Sequence, residues 1–300
     1  MVVVAQGEKV AAERVGALLP SDASSDRMAG LNASMVENGY VYLREFLPRK
    51  EVLAAREAIF ARLKVVGEIV GPAVDGIYSG RSRRHELVED LGVFWKSVAE
   101  IWALRRLTHG PDLHRLMSSL LGRPARGQDF IFLRPANRGK YTSIHCDYGF
   151  FTRCTETVLT AWIALGDIPT TDGPLFIIEG SHRFEDIIEE QRGFDVARDT
   201  SRTAQMTVAP HRFALERDTR LLTTDFAAGD LVVFPMFTLH GSLDNVSAEN
   251  RIRLSVDVRF QPSAEPIDPR YFGPNPTGTT GAGYGELTGA KPLTDEWHIR

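Results

Sequence analysis

Only two cysteines, Cys146 and Cys154, occur in 300 residues. A disulfide-stapled scaffold is thereby excluded, and a reducing cytosolic setting fits. No apolar run reaches the roughly 18 residues a membrane-spanning helix needs. The N-terminus, Met1-Val-Val-Val-Ala, has a short apolar stretch with no basic segment before it, and does not read as a secretory leader. An excess of basic residues is also lacking. Thirty-five Lys and Arg against 39 Asp and Glu give a net charge of -4, which argues against a dedicated nucleic-acid binder. Neither His-Glu-x-x-His nor paired cysteines occur, so a zinc hydrolase is disfavoured. Internal repeats are absent.

What is present is 43% apolar residues, enough for a sizeable core. Residues 1–30 are Ala-, Ser- and Gly-rich and read as a frayed arm or loose helix. Residues 31–38 read as helix, leading into a short strand at Gly39-Tyr-Val-Tyr-Leu. From Pro48 to Val66, apolar residues Val52, Ala55, Ile59, Leu63 and Val66 recur at helical spacing. Residues 67–90, with Arg81, Arg83, Arg84 and His85, read as an irregular loop. Residues 91–121 read as helical with a break at Gly110-Pro111. From about residue 123 the texture changes to short β-type runs: 129–133, 158–165, 174–178, 231–234 and 252–260. Turn residues separate them, as in Thr170-Thr-Asp-Gly and Ala228-Gly-Asp. The pattern predicts one domain over 1–300, mainly β with flanking α. It divides into an arm (1–30), a helical buttress (31–122), a β-sandwich or barrel core (123–262) with a polar insertion at 184–222, and an irregular tail (263–300). The arginines of 81–85 and of the insertion are candidates for a lid over a pocket, with a solvated surface as the plainer reading.

The segment Thr142-Ser-Ile-His145-Cys-Asp147 carries the chemistry. On a strand, residues two apart face the same way. His145 and Asp147 then point into one cavity and Cys146 points away. A bare His-x-Asp is a weak signal, so a third ligand is needed, and His240 after the apolar run ending at Phe234 is the best candidate. Two imidazoles and one carboxylate on one face of an octahedral ion match the facial triad of non-haem Fe(II) oxygenases, with positions left for a bidentate 2-oxoacid and O2. Eleven positions beyond His240 stands Arg251, in Arg251-Ile-Arg-Leu-Ser255-Val-Asp-Val-Arg259. A guanidinium fork there suits a distal carboxylate. By parity Arg251, Arg253, Ser255, Asp257 and Arg259 share one face. For Asp257 and Arg259 a solvated face of Arg–Asp pairs is the plainer expectation.

These stretches resemble the phytanoyl-CoA dioxygenase family of Fe(II)/2-oxoglutarate oxygenases. The resemblance runs through His145-Cys-Asp147, Thr160-Ala-Trp-Ile, Asp172-Gly-Pro-Leu, Glu179-Gly-Ser-His182-Arg, Gly229-Asp-Leu-Val-Val-Phe and His240-Gly-Ser, then Arg251. They occur in the family's order, over roughly residues 30–262. The resemblance implies a double-stranded β-helix, or jelly-roll, core. It places His145, Asp147 and His240 on the metal ligands and Arg251 on the arginine that binds 2-oxoglutarate, with Arg253 one pleat away as the alternative. Ser242 adds a hydroxyl near that carboxylate. Trp162 matches a tryptophan near the cofactor in some members, or is a packed aromatic. His182 is structural. The implied cofactors are Fe(II), 2-oxoglutarate and O2, with ascorbate as reductant in vitro. The implied activity is hydroxylation or desaturation of an unactivated C–H in a small organic molecule, with succinate and CO2 released. Relatives that halogenate lack the carboxylate ligand, so Asp147 favours oxygenation. A non-catalytic jelly-roll binding protein and a metal-dependent isomerase stay open as alternatives. No nucleic-acid or membrane partner is expected, and oligomeric state is open.

Overall fold

A short hairpin stands where the sequence suggested a frayed arm. Strands β1 (Val3–Ala5) and β2 (Glu8–Val10) pair antiparallel about Gln6-Gly7. Both turn residues have positive φ, 54° and 78°, which matches the twist of the flanking strands. Asp244 anchors the turn by accepting hydrogen bonds from the Gln6 and Gly7 amides at 2.7 and 2.8 Å. The computed structural model describes residues 3–21 and 27–284.

After β3 (Val15–Ala17) come helix α1 (Arg27–Asn38), strand β4 (Val41–Leu43) and helix α2 (Arg49–Val65). The spacing that predicted α2 is the face it buries: Val52, Ala55, Ile59 and Leu63 are fully enclosed. Each such branched side chain contributes about 1.5–3 kcal/mol by leaving water. Residues 67–90 are more ordered than expected. They hold the ladder β5 (Ile69–Val70) to β6 (Ile77–Tyr78) and the one-turn helix α3 (Arg84–Leu87).

Arg84 is no part of a lid. Its guanidinium and the Glu68 carboxylate are both fully buried and 2.7 Å apart, and Trp95 lies 4.6 Å from the guanidinium carbon. Arg84→Ala strands a carboxylate in the core, so a loss of about 3–5 kcal/mol in urea unfolding is expected. A loss under about 1 kcal/mol, the range of an exposed pair, would contradict this placement. Helices α4 (Leu91–Ala99), α5 (Trp102–His109) and α6 (Pro111–Leu120) follow, breaking at Glu100-Ile101 as well as at Gly110-Pro111.

The remainder supplies β7 (Ala125–Gly127), β8 (Phe132–Ala136), β9 (Thr142–His145), the one-turn helix α7 (Tyr148–Phe151), β10 (Leu159–Ala164) and β11 (Leu175–Ile178). Helices α8 (Glu185–Gln191) and α9 (Pro210–Glu216) lie in the insertion. Then come β12 (Leu221–Thr223), β13 (Leu231–Pro235), β14 (His240–Ser242) and β15 (Arg253–Pro262). One sheet runs β4-β13-β10-β15-β7, with β8 also on β15; the other runs β3-β12-β11-β14-β9. Among the described residues all strand pairings are antiparallel except β12 with β3. This is the expected jelly-roll architecture.

Between the sheets, Trp162, Leu175, Ile177, Leu222, Phe226, Val232 and Phe234 form one apolar cluster, and a larger one lies mostly between helices and sheet. Gly229 takes φ +96° and passes so close to Leu47 that a Cβ would sit 2.2 Å from its carbonyl oxygen. Only glycine fits that turn into β13. The insertion packs on β9 and α7 themselves: Val196 N–H donates to the Gly149 carbonyl, and Met206 N–H to that of Ile144. Residues 263–284 are turns as expected, while 285–300 of the expected tail lie outside the described residues.

Candidate metal centre

His145 ends β9 and His240 opens β14, and the two are direct cross-strand partners with ring centroids 4.2 Å apart. Gly241 permits this approach, since a Cβ there would lie 2.7 Å from the Phe176 ring and from the Thr142 carbonyl oxygen. Asp147 arrives differently from the strand-parity expectation. The strand stops at His145, and Asp147 has turned to φ -81°, ψ -9° at the start of α7. The carboxylate is therefore aimed by a turn, not by a pleat. Cys146 is buried in the main core.

Each imidazole is oriented by its other nitrogen. His145 Nδ1 donates to the Ser143 carbonyl at 2.9 Å, and His240 Nδ1 to that of Thr238 at 3.0 Å. Carbonyls only accept, so Nδ1 carries the proton and the Nε2 lone pair is left for the cavity. Both Nε2 atoms face Asp147 Oδ1, at 3.7 and 3.9 Å. The three candidate ligand atoms lie within 4.8 Å of one another, on residues buried to 1, 1 and 5% exposure for His145, Asp147 and His240. Oδ2 of Asp147 is already taken. It accepts from Thr160 Oγ1 at 2.6 Å and from Arg259 Nη2 at 2.8 Å.

The electrostatics favour a cation. Burial, with the neighbouring His240, pushes the His145 pKa down to about 3, and burial lowers that of His240, so both are neutral ligands near neutral pH. Burial alone would raise the Asp147 pKa. Arg259 first, then the neighbouring His240 and His145 and the Thr160 hydroxyl, outweigh it and hold the carboxylate below its usual range. His145 Nε2 and Asp147 Oδ1 are enclosed without a hydrogen-bond partner among the described residues. Two buried acceptors facing one another are costly unless something positive lies between them. A metal ion meets that need, so the residues fit the group.

A second polar group adjoins the triad. Arg253, 4% exposed, donates from Nη1 to Ser255 Oγ at 2.8 Å and from Nη2 to Ser242 Oγ at 3.3 Å. Its Nε has no partner among the described residues, and no carboxylate pairs with it. Burial, and Arg134 beside it, push its pKa down to about 10. Arg251, the residue expected as the clamp, is not brought to this place. Its guanidinium is about one-third exposed and engaged by Asp172 and Glu249. Asn250 before it takes φ +58°, and β15 begins only at Arg253.

The expectation of a solvated face for Asp257 and Arg259 is overturned. Arg259 is fully buried between the rings of Phe132 (4.6 Å) and Phe151 (4.1 Å), and Asp257 pairs with Arg134 at 2.5 Å. That face of β15 lines the space between the sheets, so its charges answer the metal site rather than water. Trp162 packs on Phe226, ring centroids 4.7 Å apart. His182 Nε2 lies 3.1 Å from the Val36 carbonyl, the structural role expected. Thr160, Arg134 and Arg259 were not singled out as site residues by sequence. The parity of β10 and β15, once anchored on Asp147, would have found Thr160 and Arg259.

The cysteine flanked by His145 and Asp147 has a checkable consequence. Burial pushes the Cys146 thiol up to about 12, whereas Cys154 is partly exposed. A thiolate-directed reagent at pH 8 should label one thiol per native chain, at Cys154, and the second only on unfolding. Rapid labelling of both would contradict the burial.

Two buried imidazoles and a carboxylate on a jelly roll define the facial-triad class of non-haem iron proteins. The profile of the phytanoyl-CoA dioxygenase family matches residues 35–253, and the chain belongs to that family. It is thus an iron- and 2-oxoglutarate-dependent oxygenase. Among curated proteins it is similar to the 1-deoxypentalenic acid 11-beta-hydroxylases of Streptomyces exfoliatus and Streptomyces arenae. The identities are 28% over 247 residues and 27% over 248, each covering 76% of this chain and 79% of the relative. Among solved structures it resembles the non-haem α-ketoglutarate-dependent carbocyclase SnoK from nogalamycin biosynthesis. That likeness has a TM-score of 0.54 and 22% identity, and covers 91% of this chain and 94% of the other. EctD from S. alaskensis gives 0.53 and 16%, over 88 and 92%. These structural likenesses show the fold.

Proposed function

We propose that His145 Nε2, Asp147 Oδ1 and His240 Nε2 hold Fe(II), that Arg253 with Ser242 and Ser255 binds the distal carboxylate of 2-oxoglutarate, and that the product is a hydroxylated small organic molecule. The chemistry such a centre supplies is oxidative decarboxylation of 2-oxoglutarate to succinate and CO2, coupled to oxidation of a C–H bond.

The observation that carries the co-substrate assignment is a buried guanidinium with no anion. Among the described residues Arg134 pairs with Asp257 and Arg259 with Asp147, whereas Arg253 has no carboxylate in ion-pair contact and an unpartnered Nε. A buried unpaired cation is retained at a cost unless a ligand carboxylate completes it. Ser242 ties this group to the metal, being two residues beyond His240 on the same strand and in contact with Arg253. The remaining residues work by holding position: Ser143 and Thr238 carbonyls fix the imidazole tautomers, and the apolar cluster between the sheets keeps water out.

The similarity to 1-deoxypentalenic acid 11-beta-hydroxylases supports hydroxylation over other outcomes. Trp162 is read as part of the wall rather than a ligand to the co-substrate. The whole chain is taken as one oxygenase unit. Its setting is taken as the cytosol, which the free thiols Cys146 and Cys154 support; among the described residues no helix is long and apolar enough to cross a membrane. The test is succinate release from 2-oxoglutarate with Fe(II), O2 and ascorbate. Release that requires iron is expected, and an absence of any iron-dependent release or binding would overturn the reading.

A further inference from the structure

The carboxylate of Asp147 is held asymmetrically. Both described donors, Thr160 Oγ1 and Arg259 Nη2, are on Oδ2, and Oδ1 is left facing the two imidazoles. The two donors come from directly opposed positions, because Thr160 of β10 pairs with Arg259 of β15. Arg259 cannot easily swing away. Its guanidinium lies between Phe132 of β8 and Phe151 of α7, and Asp257 Oδ2 stands 3.6 Å from the same Nη2. Phe151 belongs to the helix that Asp147 begins, so the arginine holds both the carboxylate and the turn that presents it.

We propose that Arg259, supported by Thr160, is a positioning residue that keeps Asp147 a one-oxygen ligand. A free carboxylate beside a divalent ion can bind through one oxygen or chelate through two. With Oδ2 occupied by a fixed cation and a hydroxyl, chelation would require breaking two hydrogen bonds, one of them charge-assisted. The carboxylate therefore fills one coordination position and leaves three for co-substrate and O2. The ion pair also offsets the cost of burying an anion in the metal-free protein. The inference rests on the triad as the metal site.

The test uses Co(II) in place of iron, read by affinity and by its visible spectrum, with no turnover involved. In Arg259→Gln the Co(II) dissociation constant should rise about 10–100-fold, the range for losing an outer partner of a ligand. The spectrum should change as Oδ2 is freed, Arg259→Lys should recover part of the affinity, and Arg251→Leu should behave as wild type. If Arg259→Gln does not fold, Thr160→Val removes the other hydrogen bond with little change of shape and should give the same changes to a smaller degree. A folded Arg259→Gln, or failing it a folded Thr160→Val, with wild-type affinity and spectrum overturns the inference and leaves the triad standing. Failure of the wild-type chain to bind Co(II) overturns the triad itself.

Discussion

His145→Ala and His240→Ala each abolish Fe(II)-dependent turnover of 2-oxoglutarate while leaving the fold in place. Each substitution removes a ligand atom outright. Metal affinity should therefore fall by more than the roughly 10–100-fold seen when only an outer partner is lost. The structural cost is small by comparison. Among the described residues each side chain makes one hydrogen bond, Nδ1 to a carbonyl two residues earlier, and the backbone pairing of His145 with His240 does not involve the rings. Circular dichroism and a urea transition close to wild type are expected beside a loss of metal binding. Full activity at limiting iron in either variant would show that the ligands lie elsewhere.

Arg253→Leu raises the apparent KM for 2-oxoglutarate by at least about 30-fold. Losing a charge-assisted contact in a buried site costs roughly 2–5 kcal/mol, and each 1.4 kcal/mol is about tenfold. Stability separates this role from a structural one. Arg253 is buried with no carboxylate in ion-pair contact among the described residues, so an apolar side chain of similar reach should leave the metal-free protein as stable as wild type or more so. A structural arginine would give the opposite result, a destabilised chain with unchanged KM. Arg251→Leu, at an outer pair with Asp172 and Glu249, should leave KM near wild type. A large rise there with none in Arg253→Leu would restore the assignment suggested by spacing from His240.

The strand runs were legible because apolar residues alternate with turn chemistry, and four of the five lie within two residues of the observed strands at both ends, while the run at 129–133 was placed about three residues early. The triad was legible because its residue types are chemically restrictive. The hairpin at Val3–Val10 was not, since three-residue strands carry no periodicity. The strand β3 pairs with β12 some 200 residues away, a contact no local pattern records.

The polar face of β15 was misjudged for a different reason. Alternation of Arg253, Ser255, Asp257 and Arg259 with Leu254, Val256 and Val258 correctly separates two faces. It does not say whether the polar one meets water or a polar cavity. All ten residues of β15 are buried, so the second applies. Arg251 and Arg253 share parity, and the difference between them lies in the left-handed Asn250, which ends a turn before the strand starts.

Anaerobic calorimetry of 2-oxoglutarate binding, with and without Fe(II), tests the central claim most directly, because it asks for metal and clamp at once without a known substrate. Tight one-to-one binding in the presence of iron is predicted, greatly weakened when iron is withheld, in His240→Ala, and in Arg253→Leu. Binding of undiminished affinity without metal, or in both variants, would contradict the account.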